Sequence, residues 1–99
     1  MTFNERCYAL LLKIPKGKVT TYKEIANALG TKAYRAVGNA MNKNPNPITS
    51  PCHRVVKTDG SLGGYAFGSD KKIALLKSEG ISIQNNKIAD FNNKLYRFK

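Results

Sequence analysis

Tryptophan is missing from this 99-residue chain, and cysteine, histidine and acidic residues are scarce, at two, one and six. Two cysteines cannot staple a disulfide scaffold, and with a single histidine they make a poor zinc set, so neither metal nor cofactor is expected. Long apolar stretches are absent too. The longest run is Ala9 to Leu12, far short of the roughly 20 residues that span a bilayer. The N-terminus lacks the charged, apolar, small-residue order of a signal peptide, which makes the cytoplasm the expected location and excludes a membrane partner.

The scarcity of acid leaves base unopposed. Seventeen Lys and Arg against six Asp and Glu give a formal charge of +11, spread along the chain rather than packed into a tail. A folded domain with this surplus is drawn to polyanions, and nucleic acid heads that class. A solubility surplus or a ribosomal neighbour would produce the same balance, and charge says nothing of chemistry. The length and the 41% hydrophobic content suit one domain, residues 1–99, with a modest core.

Hydrophobic period supplies the helices. Thr2 with Glu5 has the form of a capping box, and Phe3, Cys7, Leu10, Leu11 and Ile14 follow at helical spacing until Pro15-Lys16-Gly17. Cys7 on this stripe reads as a core residue without chemistry. A second box, Thr21 with Glu24, opens a short helix through Ile25, Ala26 and Leu29, with Gly30 as its stop. Thr31 is placed to cap a third helix whose inner stripe is Ala33, Ala36, Val37, Ala40 and Met41. Two helices joined by a tight turn make a helix-turn-helix candidate, a topology that also occurs without DNA. The outward face of the third helix carries Arg35, Gly38, Asn39 and Asn42. It is low and polar enough for a phosphate backbone to approach, with one long cation to probe a base stack. A merely small-residue surface is the alternative.

Prolines 45, 47 and 51 exclude helix from the segment "NKNPNPITSP". Val55-Val56 then reads as a short strand, Thr58-Asp59-Gly60 as a turn and Leu62 to Tyr65 as a glycine-rich arm. Ser69 or Asp70 starts a last clear helix, with Ile73, Leu75 and Leu76 inside and Gly80 ending it. The tail from Ile81 to Lys99 is expected to lie on the core as strand or short helix.

The chemistry-bearing stretch is "SPCHRVV", residues 50–56. Neighbouring residues on a strand face opposite ways, so Cys52 and His53 cooperate only if the backbone bends there; otherwise their adjacency is accidental. Arg54, His53 and the general positive charge are expected to favour the thiolate of Cys52, the nucleophilic form. A histidine base usually has an orienting carboxylate. Glu79 sits at a helix C-terminus, where the dipole disfavours it, and His53 would relieve it there; a tolerated surface Glu is the simpler alternative.

"PCHRVV", "YRAVGNAMNKNPNPI" and "GGYAFG…KKIALLKSEG" together resemble the DNA-binding, active-site domain of the O6-alkylguanine-DNA alkyltransferases, in unbroken order over roughly residues 3–83. The resemblance implies a mainly α fold with a small β component, a helix-turn-helix (winged-helix-like) DNA-binding domain carrying the active-site cysteine. It implies a monomer that acts on double-stranded DNA containing O6-alkylguanine, wherever DNA is kept. Cys52 would accept the alkyl group irreversibly, with His53 activating it through a water, Glu79 holding the imidazole and Asn44 bracing the turn. Tyr22 would donate to the flipped guanine, and the carbonyls of Cys52 and Val55 would accept from its amino group. Tyr65 and Ala66 would close over it, and Thr58 joins that pocket. Arg35 would fill the gap left in the stack, with Thr21, Tyr34, Gly38, Asn39 and Arg54 completing the DNA contacts from the minor-groove side. Larger family members carry a further N-terminal domain, which this chain is expected to lack. Two rivals remain: a sensor of the alkyltransferase-like subgroup, whose members typically have Trp in place of the acceptor cysteine, and a plain helix-turn-helix regulator, normally a dimer reading the major groove.

Overall fold

The computed structural model describes residues 1–45, 50–65 and 67–98. Helix α1 (Phe3–Leu11) opens on a complete capping box: the Thr2 hydroxyl accepts from the Glu5 amide at 3.1 Å, and the Glu5 carboxylate accepts from the Thr2 amide at 2.8 Å. Such a cap contributes about 1 kcal/mol. Cys7 and Leu11 are buried on its inner stripe, with Ile14 buried just beyond its end. Strand β1 (Thr20–Thr21) runs straight into α2 (Tyr22–Ala28), because Thr21 is both its last residue and the helix cap, its hydroxyl accepting from the Glu24 amide at 3.0 Å.

Helix α3 (Tyr34–Asn42) begins later than the sequence suggested. Thr31 does not cap it. Its hydroxyl instead accepts from the Ala33 amide at 3.2 Å, a local turn that competes with helix. Ala33 is left at the cap position with no side chain to serve there, and it is exposed rather than part of the inner stripe. Val37, Ala40 and Met41 are buried as expected.

A 3-10 turn (Cys52–Arg54) leads into β2 (Val55–Val56), which pairs in parallel with β1, Thr20 opposite Val55 and Thr21 opposite Val56. Parallel neighbours need a crossover, and the α2–α3 pair lies within it. Helix α4 (Ser69–Ser78) follows and Gly80 ends it at φ +85°, a conformation that suits glycine. The tail forms both expected structures: a small hairpin of β3 (Ile83–Gln84) and β4 (Lys87–Ile88), then α5 (Phe91–Lys94). Leu95 and Tyr96 come back beside β1, with the Val19 amide donating to the Lys94 carbonyl at 2.9 Å and the Tyr96 amide to the Val19 carbonyl at 2.6 Å.

Two apolar clusters result. The first gathers Cys7, Leu11, Ile25, Val37, Ala40 and Met41 from the three N-terminal helices together with Cys52 and Val55. The second holds Val19, Val56, Leu62, Leu76, Ile81 and Ile88. Consecutive strand residues face opposite ways, so Val55 and Val56 send one side chain into each. Among the described residues no helix is long and apolar enough to cross a membrane.

Candidate active site

The backbone bends at the cysteine. The Arg54 amide donates to the Pro51 carbonyl at 3.0 Å, closing the 3-10 turn, and the Cys52 amide donates to the Ser50 carbonyl at 2.7 Å. Asn44 reaches across from the end of α3, its Nδ2 donating to the same Ser50 carbonyl at 2.8 Å, and it also hydrogen-bonds the Cys52 thiol. Cys52 and His53 are each 3% exposed.

His53 and Glu79 meet, His53 Nε2 lying 2.9 Å from Glu79 Oε2. A carboxylate only accepts, so Nε2 donates and the neutral ring carries its lone pair on Nδ1. That atom is buried and has no hydrogen-bond partner among the described residues. Burial lowers the imidazole's proton affinity; the bond to Glu79 opposes this, and the charges of Arg54 and Lys72 reinforce it. Burial pushes Glu79 the other way, but the Arg54 and His53 bonds outweigh it and hold the carboxyl below its ordinary value.

Arg54 does not lie open on the surface: its side chain is 15% exposed and each of its guanidinium nitrogens donates within the protein. Nε donates to Glu79 Oε1 at 2.9 Å, NH2 to Glu79 Oε2 at 2.7 Å and NH1 to the Ile14 carbonyl at 2.8 Å. Nor is the thiol of Cys52 poised low. Burial pushes it up, opposed by the Asn44 bond, the charge of Lys72 and its own backbone N–H, while Arg54 spends its charge on Glu79.

Lys72 was missed by the sequence reading. It is fully buried, and its ammonium donates to the carbonyls of Val55 at 2.7 Å, Leu62 at 2.5 Å and Gly64 at 3.1 Å. One cation thus ties the cysteine's strand to the root of the glycine-rich arm. Burial lowers its pKa to about 8, with Cys52 pulling the other way. The available signal was positional: Lys72 stands four residues before Leu76 and seven before Glu79, on the face those two turn inward.

The remaining predicted residues divide. Tyr22 lies against the arm, close enough that a Cβ on Gly63 would come within 3.2 Å of its hydroxyl; with φ at +72°, that position is doubly suited to glycine. Burial raises the Tyr22 hydroxyl's pKa and Cys52 adds to the effect. The Tyr65 ring stands edge-on to His53, centroids 6.4 Å apart, and its buried hydroxyl has no partner among the described residues. Ala66 lies outside the described residues. The Val55 carbonyl receives Lys72 and the Cys52 carbonyl receives the Val55 amide, leaving each one further lone pair. Thr58 is exposed, in a turn tied to the C-terminal hairpin by the Ile88 amide, which donates to the Gly60 carbonyl at 2.9 Å. Thr21 is 3% exposed and its hydroxyl caps α2. Tyr34, Arg35 and Asn39 are exposed along α3, and beside them a Cβ added to Gly38 would meet nothing within 4 Å. A cleft of about 390 Å³ lies in the α2–α3 turn at Asn27, Gly30, Thr31 and Lys32 and contains none of these chemical groups.

Residues 2–81 match the family described as 6-O-methylguanine DNA methyltransferase, DNA binding domain. The chain belongs to this family. It is 53% identical over 78 residues to a methylated-DNA–protein-cysteine methyltransferase of Methanosarcina barkeri, covering 78% of this chain and 49% of that protein. It is 48% identical over 92 residues to a bifunctional methyltransferase/endonuclease of Picrophilus torridus, covering 92% of this chain and 30% of the other. The chain therefore spans half or less of the length of these curated relatives. Among solved structures, Mycobacterium tuberculosis OGT in complex with DNA superposes at a TM-score of 0.77 with 45% identity, over 80% of this chain and 50% of that one. S. pombe Atl1, in complex with damaged DNA containing O6-carboxymethylguanine, superposes at 0.79 with 30% identity, over 97% of this chain and 95% of that one. The mainly helical fold with small sheets is the fold of the family's DNA-binding domain.

Proposed function

We propose that this chain repairs double-stranded DNA by taking the alkyl group of O6-alkylguanine onto Cys52, once per molecule. The observation that carries the reading is the His53–Glu79 bond: it fixes the imidazole proton on Nε2 and leaves a buried Nδ1 lone pair, without a partner among the described residues, one residue from the thiol. Nδ1 takes the Sγ proton, directly or through one water. The thiolate attacks the alkyl carbon in line, an S–C bond forms, and the C–O6 bond breaks with its electron pair leaving on the guanine. The Tyr22 hydroxyl is the donor assigned to that departing base. A thiol made reluctant by burial is the stronger nucleophile once its proton is gone. The thioether product offers no leaving group, so the reaction does not turn over.

Cys52 is too enclosed for a base within a stacked duplex to reach, and the target must be flipped out at a cost of a few kcal/mol. In this reading Arg35 fills the vacated position, offsetting part of that cost. The open Gly38 and the polar Asn39 let the backbone come close, with Tyr34 at the edge. Tyr65 and Ala66 close over the base, and Tyr65 offers it a ring and a hydroxyl that has no partner among the described residues.

A second reading is favoured by the superposition on Atl1 at a TM-score of 0.79: a sensor that binds the lesion without transfer. Cys52 separates the two. Incubation with a duplex containing O6-methylguanine should add one methyl mass, once, to wild type and none to Cys52→Ala, by intact-protein mass spectrometry. Lesion-selective binding without mass gain would establish the sensor. Equal affinity for damaged and undamaged duplex would leave a general DNA-binding module.

A further inference from the structure

Arg54 makes a more specific arrangement than a surface ion pair. Its fork covers both Glu79 oxygens, and Oε2 is shared between Arg54 NH2 at 2.7 Å and His53 Nε2 at 2.9 Å. The Glu79 and His53 side chains are only 7% and 4% exposed, and the third Arg54 contact, on the Ile14 carbonyl, fixes the guanidinium from the end of α1. We propose that Arg54 is a positioning residue: by taking up the charge of Glu79 it keeps the His53 ring neutral, with the proton on Nε2 and the lone pair on Nδ1.

The reason is charge counting in a poorly solvated cluster. With guanidinium and carboxylate both present the cluster is neutral, and protonating His53 would bury a net positive charge. Without the guanidinium, the same carboxylate would recruit a proton onto the imidazole to neutralise itself. An imidazolium has no lone pair at Nδ1 and cannot relieve a thiol of its proton. The other groups facing the ring act in the same sense or not at all: Lys72 from α4 is cationic, and Tyr65 from the arm presents a ring edge. Cys52, adjacent in the turn, is held as the thiol by burial.

The inference rests on reading His53 as the base, but its test does not need alkyl transfer. The chain has one histidine, so 13C,15N-histidine labelling gives a single imidazole signal. In wild type the ring is expected to be neutral and in the Nε2–H form at about pH 6, where an ordinary histidine is mostly charged. Arg54→Gln should move the titration to higher pH, and Arg54→Lys, which retains the charge, should largely restore it. Where transfer is measurable, the rate of Arg54→Gln relative to wild type should fall further as pH falls, approaching tenfold per pH unit. A purely bracing role would lower thermal stability and leave the titration in place. An unchanged titration in folded Arg54→Gln overturns the proposal. So does an imidazolium, or an Nδ1–H ring, in wild type at about pH 6, a measurement that stands even if the variant does not fold. Correct titrations with no transfer by wild type would remove the alkyl-transfer reading and leave the charge assignment intact.

Discussion

Cys7 and Cys52 lie in the same apolar cluster, at 0% and 3% exposure, and burial raises the pKa of both thiols. By depth alone they are the same residue. What separates them is the supply of polar neighbours. Against burial, Cys7 has the opposing field of Arg6. Cys52 has a hydrogen bond from Asn44, the charge of Lys72 and its own backbone N–H, with the His53 Nδ1, unpartnered among the described residues, one residue away. A buried thiol becomes a candidate nucleophile through the groups aimed at it, each of which can be removed separately.

Exchanging the two alanine substitutions is the bluntest test. Cys52→Ala should abolish transfer entirely. Cys7→Ala should leave single-turnover kinetics near wild type and cost about 1 kcal/mol of stability, the usual price of a small core deletion. Loss of transfer in a folded Cys7→Ala protein would break the distinction.

Lys72→Met removes the cation that Cys52 has and Cys7 lacks. It strips the donor from three carbonyls, for a loss on the order of 2–4 kcal/mol in urea melts and slower transfer. The pH dependence follows from linkage. The folded-state pKa, about 8, is below the ordinary 10.5, so between those values the unfolded chain holds the proton that the native protein has released. Wild-type stability therefore gains from this group as pH rises through that window. The stability difference between wild type and Lys72→Met should widen from about pH 8 to about pH 10; a narrowing difference would sink the assignment. A smaller effect is expected from Asn44→Ala, which deprives Cys52 of its hydrogen bond and the Ser50 carbonyl of a donor. Transfer should slow roughly tenfold and stability fall by about 1 kcal/mol, measured by quenched-flow mass spectrometry and thermal melts. An unaffected rate would mean that Asn44 serves the turn alone.

Legibility in the sequence follows the range of the interaction. The Thr2–Glu5 cap, the stripes of α1 and α3 and the stop at Gly80 depend on residues within a turn or two of one another. The meeting of His53 with Glu79 was readable because a carboxylate at a helix C-terminus is out of place without a partner. The strands were less visible: β1 and β2 are two residues each, too short for a period, and their parallel pairing depends on the whole crossover between them. Arg54 misled the reading because nearness to Cys52 along the chain was taken for nearness of charge, whereas its long side chain turns to Glu79. Lys72 was passed over because lysine is rarely wholly buried, although its place on the inner face of α4 marked it.

The divided allegiance of Val55 and Val56 makes β2 a party wall. Whatever swells or slackens the room behind it, at Leu76 or Ile88, leans on the side where the thiol hangs. Sequence drift in the hairpin half is thereby constrained by an alignment it never touches.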